Sequence, residues 1–362
     1  NMNTFSKYTK FIIFDFRKSL NLGDFITIID LAEKYYRLTN KNPYIITRGK
    51  FKNNAVKQII TEYKFIKFIE LGTFFGFLET IYILFLSIFT RYSYCISITG
   101  NKIKKIFIIF LYYFTRSNLL LFSFSDDYFK IKSSFSFLKE NENTKIVINH
   151  KLNFLNINNL LLSSLLSKEI IIEQKFLYKK NNFVAENYLN KNEYIGLALG
   201  ASNLGKSVKI DDFLYIAKSF WEKYKKEFIF LGVGSKYELM VAEQLILMFK
   251  ENNIPYKNFL GEKDFYNTLN LLNGSFINIG PNTGLILLSF YMNKKTLVFS
   301  ENTSNFYTFK NENSQFLMNP KMCTCPKILH NVNEENIKIN EVGCCVSLID
   351  IRHEVDNYLS TM

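Results

Sequence analysis

Short apolar runs alternate with longer stretches of mixed polarity along most of the chain. In the first half the apolar runs are Phe11–Phe14 (FIIF), Tyr44–Thr47 (YIIT), Phe65–Glu70, Tyr94–Ile98 (YCISI), Leu119–Ser123 and Lys145–Asn149. Each is short, rich in aromatic and β-branched residues, and reads as a buried strand. The intervening stretches predict helices over Asp24–Leu38, Ala55–Glu62, an apolar segment from Gly76, Lys102–Thr115 and Asn158–Leu166. Strands that alternate with helices of this length imply βαβ units and a parallel sheet.

From Glu173 to Lys191 the pattern dissolves into Lys/Asn-rich sequence, and a second, clearer series follows. Its strands are expected at Tyr194–Leu199, Phe228–Leu231, Phe276–Ile279 and Thr296–Phe299, and its helices at Asp211–Lys225, Lys236–Lys250, Asp264–Leu272 and Leu285–Met292. A last helix is expected near Ser347–Leu359. The expected organisation is therefore a first Rossmann-like lobe over 1–172, a linker over 173–191, a second Rossmann-like lobe over 192–345 and a C-terminal helix over 346–362. A length of 362 residues suits two such domains. In open parallel sheets ligands bind outside the carboxyl ends of the strands, so the loops directly after strands are where chemistry is sought.

Charge adds a direction. Lys and Arg exceed Asp and Glu by 45 − 32 = 13, which favours phosphates, nucleic acid or an anionic membrane face. An AT-rich genome would supply much of the same Lys surplus without function. No recognised RNA or DNA module is present, so nucleic acid is not an expected partner. Five cysteines in 362 residues form no disulfide framework, and the polar opening Asn1–Lys10 lacks an apolar signal region, so a reduced, cytoplasmic setting is expected. Four cysteines, Cys323, Cys325, Cys344 and Cys345, cluster late. Their C-x-C…CC spacing is not the usual zinc pattern, and ordinary loop or packing thiols are the preferred reading over a metal site. The histidines His150, His330 and His353 lack ligand spacing and read as structural.

The run Gly72–Thr90 carries one charge, Glu79, in 19 residues, a length that just reaches across a bilayer. A second run, Ile106–Thr115, is too short to span. Both lie between expected strands of one αβ pattern, so buried or membrane-docking helices are preferred over transmembrane ones. Lys102, Lys104, Lys105 and Arg116 flank the second run and suit peripheral contact with anionic lipid at the inner membrane.

Four loops carry candidate chemistry. In Asn21-Leu22-Gly23-Asp24 the carboxylate is either a helix cap or a base for an acceptor hydroxyl, and Gly23 permits close backbone approach. Gly200-Ala201-Ser202-Asn203-Leu204-Gly205-Lys206-Ser207 follows a strand and precedes a helix. Its backbone amides, Ser202, Lys206 and Ser207 suit a phosphate, with Gly200 and Gly205 giving the backbone room. Gly200, Gly205, Lys206 and Ser207 also match G-x-x-x-x-G-K-[ST] literally, but no strand ends in an Asp able to serve as the magnesium partner of an NTPase. Glu238, after Gly232-Val233-Gly234-Ser235, either complements a helix dipole or accepts from a ribose. Gly280-Pro281-Asn282-Thr283-Gly284 puts Asn282, Thr283 and the Gly284 amide at a helix N-terminus, as a capped turn or as donors to the same diphosphate.

These four loops, in this order, resemble the bacterial heptosyltransferases of glycosyltransferase family nine, over most of the chain and more closely from Tyr194 onward. The resemblance implies two lobes of glycosyltransferase B architecture, with a C-terminal helix crossing back to the first lobe. It implies Asp24 of the Gly23-Asp24 pair as catalytic base, Lys206 and Phe213 in the family's K-x-W-P-x-E-x-F/W segment, and Glu238 as the ribose ligand. The family's D-T/S-G-x-x-H-x-A loop is similar to Asn282-Thr283-Gly284-Leu285-Ile286-Leu287-Leu288-Ser289, with Asn282 in place of Asp and Leu287 in place of His. The tail Cys345-Val346-Ser347-Leu348-Ile349 resembles the family's C-terminal cysteine and helix. The implied activity is metal-independent transfer of a sugar from a nucleotide diphosphate sugar, a co-substrate with no further cofactor, to a lipid-linked saccharide. Alternatives are a protein-modifying heptosyltransferase with a cysteine metal site, a non-catalytic sugar-nucleotide binder and a P-loop-like NTPase.

Overall fold

The computed structural model describes residues 10–15, 22–48, 54–90, 92–97, 102–115, 117–123, 144–148, 154–166, 169–172, 192–201, 204–300, 313–318, 346 and 349–361. The expected linker 173–191 lies outside them. Contacts divide the chain into two units, the first comprising Asn1–Leu177 with Ser304–Tyr307 and the second Tyr178–Thr303 with Thr308–Met362.

The first unit comprises β1 (Phe11–Asp15), α1 (Leu22–Thr39), β2 (Tyr44–Thr47), α2 (Asn54–Glu62), β3 (Lys67–Glu70), α3 (Phe74–Phe89), β4 (Ser93–Ser97), α4 (Lys102–Phe114), β5 (Asn118–Ser123), β6 (Thr144–Ile148) and α5 (Phe154–Leu166). The strands form one parallel sheet in the order β3-β2-β1-β4-β5-β6. Alternate strand residues face opposite sides. Ile12 and Phe14 join Ile83 of α3 and Ile108 and Leu111 of α4 in one core. Phe11 instead stacks on Tyr35 of α1, ring centroids 4.4 Å apart. So α3 and α4 cover one face, and α1, with α2 and α5 packed beside it, covers the other.

The α1 layer holds a buried ion pair. Lys34 Nζ lies 3.0 Å from Asp30 Oδ2, and both side chains are fully buried. Asn158 of α5 donates to Asp30 Oδ2 (2.8 Å) and to the Thr27 carbonyl (2.9 Å). Buried charge is tolerated only when paired and hydrogen-bonded in this way.

The second unit comprises β7 (Tyr194–Ala198), a 3-10 turn at Leu204–Lys206, α6 (Ile210–Tyr224), β8 (Glu227–Leu231), α7 (Lys236–Glu251), β9 (Tyr256–Asn258), α8 (Phe265–Gly274), β10 (Ile277–Pro281), α9 (Gly284–Tyr291), β11 (Thr296–Ser300), β12 (Ser314–Met318) and α10 (Ile351–Thr361). Its parallel sheet runs β12-β11-β10-β7-β8-β9. Sequence pattern does not reveal β9 or β12. They are the two edge strands, and β9 is three partly exposed residues, too short and polar for periodicity to register.

The resemblance implied that the last helix crosses back to the first lobe. Instead α10 belongs to the second unit and packs on α6. Tyr358 stacks on Phe220 with centroids 6.2 Å apart, Val355 is buried, and the Tyr215 hydroxyl donates to Asp356 Oδ1 (2.7 Å). Apolar residues at Ile351, Val355 and Tyr358 give the helix one buried stripe, and the second unit's core fills it.

Both sheets are doubly wound. The winding reverses between β1 and β4 in the first and between β7 and β10 in the second. The carboxyl ends of such strand pairs open a crevice that binds ligands. Among the described residues, no helix is long and apolar enough to cross a membrane.

Candidate functional site

The second unit's switch point gathers three of the four sequence-predicted loops. Strand β10 pairs with β7 in register Ile277↔Ile195 to Ile279↔Leu197, and β7 pairs with β8 up to Ala198↔Leu231. The Gly200 loop, the Gly232–Ser235 loop and the Asn282–Gly284 turn therefore leave the same edge of one sheet. They are packed closely. A Cβ on Gly280 would lie 2.8 Å from both the Cβ and the carbonyl oxygen of Ala198, so only glycine fits between these strand ends.

Glu238 ties two of the loops together. Ser235 caps α7 with a full capping box: the Glu238 amide donates to Ser235 Oγ (3.3 Å), and the Ser235 amide donates to Glu238 Oε2 (2.8 Å). The Val233 amide approaches Oε1 at 3.4 Å. This buried carboxylate also sits where a Cβ on either Gly200 or Gly232 would be, 2.4 Å from its Oε1 in each case. Both glycines are thus required by Glu238, and Glu238 is held by the turn it caps.

The Asn282–Gly284 turn leads into α9. Asn282 Nδ2 donates to Ser300 Oγ (3.0 Å), so the amide has its own structural partner. Leu287, in place of the family's His, is buried in α9. Thr283 is the N-cap residue with extended backbone (φ −131°, ψ 170°), yet its side chain does not cap the helix. Its Oγ1 is buried and has no hydrogen-bond partner among the described residues. A capping residue that does not cap leaves the first amides of the helix open to an anion.

In the Gly200 loop, Ser202 lies outside the described residues. Gly205 and half-buried Lys206 are in the 3-10 turn, and α6 begins only at Ile210. Ser207 is fully buried, and its hydroxyl faces the Tyr237 phenol, which burial pushes up to about 12. A P-loop needs the Lys-Ser pair at the start of the helix, with the hydroxyl toward a magnesium ion. Here the helix starts later and the hydroxyl is turned into the core, so the literal motif does not build a P-loop.

Sequence reasoning passed over three contributors to this edge. Ser300 ends β11 and receives Asn282. The Tyr237 phenol lies by the Ser207 hydroxyl. Gly261 has φ +73° and lies against Gly234 (φ +75°), where a Cβ on Gly234 would be 2.8 Å from the Gly261 Cα. Only Gly261 had a readable signal, as a lone glycine after a short polar strand.

In the first unit, helix α1 starts at Leu22, so Gly23 and Asp24 lie within its first turn, after β1 at that sheet's switch point. Asp24 is half-buried. It follows the helix start rather than preceding it, so it is not the N-cap residue. Its carboxylate still complements the positive end of the helix.

The cysteine cluster 323–345, His150 and His330 fall outside the described residues. Among the described residues no group of His, Cys, Asp or Glu is arranged to hold a metal. Cys95 is buried in β4, which pushes its thiol up. His353 is exposed on α10, its ring nitrogen 2.9 Å from Asn357 Nδ2.

No protein-family model matches the chain, and no curated protein sequence does. Solved structures do. A glycosyl transferase family 9 protein from Veillonella parvula is 13% identical with a TM-score of 0.61, covering 98% of this chain and 97% of that one. The E. coli heptosyltransferase WaaC with ADP-2-deoxy-2-fluoro heptose is 11% identical with a TM-score of 0.57, covering 97% and 99%. E. coli ADP-heptose lipopolysaccharide heptosyltransferase II is 11% identical with a TM-score of 0.52, covering 85% and 89%. With the two doubly wound parallel sheets, these likenesses establish the glycosyltransferase B fold for this chain.

Proposed function

We propose that the chain is a glycosyltransferase moving a sugar, heptose in the first instance, from a nucleotide diphosphate sugar to a saccharide on a lipid-linked glycan such as lipopolysaccharide core. The observation that carries the reading is the uncapped N-terminus of α9 with the orphan Thr283 hydroxyl, at the switch point beside the Gly200 loop. Helix N-termini bind phosphate without further devices. The similar E. coli heptosyltransferase WaaC has been solved with ADP and with ADP-2-deoxy-2-fluoro heptose, which supports the donor class.

In this reading the acceptor hydroxyl oxygen attacks the anomeric carbon while the bond from that carbon to the diphosphate breaks. The hydroxyl proton passes to the Asp24 carboxylate. Charge that develops on the departing diphosphate is met by Lys206, the loop amides, Thr283 Oγ1 and the Gly284 amide. Asn282 adds a donor at the same edge, Ser202 is proposed as a further donor from its sequence position alone, Glu238 orients the ribose, and no metal enters the scheme. The protein works peripherally on the cytoplasmic face of the inner membrane, where the acceptor resides.

A second reading, a sugar-nucleotide binder without catalysis, is favoured by Asn282 and Leu287, which lack the family's charged and imidazole groups. Transfer of radiolabelled heptose from ADP-heptose to deacylated core oligosaccharide separates the two. Turnover that Asp24→Asn abolishes, with donor affinity kept, supports the transferase. Donor binding with no turnover in the native protein leaves the binder.

A further inference from the structure

Helix α3 is built inside out. Its buried stripe is Gly76, Thr80, Ile83 and Ser87, mostly small or hydroxylated. The Thr80 and Ser87 hydroxyls donate to the helix's own carbonyls, Gly76 (2.7 Å) and Leu84 (2.6 Å). Its solvent face carries Phe74, Phe75, Leu78, Tyr82, Phe85 and Phe89, exposed by 45–82%. From Phe75 onward these positions recur every three or four residues, so they line one side of the helix. Neighbouring α4, which shares the α3 core, exposes Ile106, Tyr113 and Phe114. Eleven of the sixteen large apolar side chains exposed among the described residues lie on these two helices. Scattered exposed apolar residues need no explanation, but a continuous patch does.

We infer that the outer face of α3 and α4 lies in the interface of an anionic lipid bilayer. An inside-out helix is stable only if its outer side also meets an apolar medium. At 16 residues α3 is about 24 Å long, enough to lie in an interface and too short to cross it. Electrostatics selects the anionic surface. From Lys64 to Arg116 there are seven Lys and Arg against two Glu, a local surplus of 7 − 2 = 5, and three of the lysines fall in the first turn of α4. The single acid on α3, Glu79, is neutralised by an ion pair with Lys67. The inference gives the peripheral-membrane reading its surface and does not depend on the donor site.

The test is flotation of the full chain with vesicles of phosphatidylethanolamine and phosphatidylglycerol. The native protein floats, and the triple variant Phe75→Ser, Phe85→Ser, Phe89→Ser partitions about a hundredfold more weakly. A control pair on the second unit, Val233→Ser with Leu247→Ser, floats as the native protein does. All three positions in the triple variant are exposed, so its melting temperature stays native. The chain's one tryptophan, Trp221, lies in α6. In a Tyr82→Trp, Trp221→Phe chain, fluorescence is quenched by brominated lipid, whereas Trp221 in the native chain is not. Native protein that stays in the dense fraction overturns the inference. So does a triple variant that floats equally well, or a lipid-independent dimer in sedimentation that the triple variant dissociates.

Discussion

The two units have one topology and spend it differently. Each is a six-stranded parallel sheet reversed at its centre. In the second, the switch point carries tight glycines, a full capping box and a helix N-terminus left open, and the sheet is sandwiched by a large apolar core. In the first, the switch point carries buried Asp15 and half-buried Asp24, the α1 layer encloses charges, and the α3–α4 layer turns aromatics outward. In the proposed reading the donor binds at one sheet and the acceptor and membrane at the other, so a shared fold does not fix which ligand each half takes.

The largest test of that division is Asp24→Ala. Loss of a general base costs transfer roughly a thousandfold while the second unit binds donor unchanged, as read by steady-state kinetics beside donor titration. Equal loss of donor affinity would erase the division.

The first unit's buried charges give a stability signature of their own. Burial is the main cause raising Glu33 to about 7, from an ordinary 4.5, against the partial offset of Arg37. Between these values the folded protein keeps a proton that the unfolded chain has released, so this group's contribution falls as pH rises from about 4.5 to 7. Glu33→Gln removes that slope. The variant should match the native protein in urea unfolding at pH 4 and exceed it at pH 8 by up to about 3 kcal/mol.

Gly280→Ala sharpens the other side. Its methyl meets the Ala198 carbonyl, a backbone atom unable to move away, and should destabilise the protein by about 2 kcal/mol in thermal unfolding. Smaller still is Lys206→Ala, expected to weaken nucleoside diphosphate binding about tenfold with unfolding unchanged.

Most of the fold was legible because buried parallel strands are continuous apolar runs, and those from Phe11 to Thr296 stand out against Lys- and Asn-rich surroundings. The edge strands β9 and β12 were not, since an edge strand needs no apolar run. The site's loops were legible as small-residue clusters after strands. Their internal commitments were not. Ser207 turning inward to Tyr237, Asn282 bonding Ser300 and Glu238 filling the space above Gly200 and Gly232 are long-range contacts that local sequence does not encode. The expected return of the last helix failed for a similar reason. The apolar stripe at Ile351, Val355 and Tyr358 states that the helix docks, and only the tertiary structure states that it docks on α6.

The most direct measurement is calorimetric titration of ADP, UDP, GDP and CDP, without divalent metal, into the native protein and Thr283→Val. The account predicts that one diphosphate binds the native protein, and that the variant binds it about tenfold more weakly while melting no lower, because the buried hydroxyl has no partner until ligand arrives. Unchanged affinity in the variant, or binding by a triphosphate with magnesium alone, would contradict it.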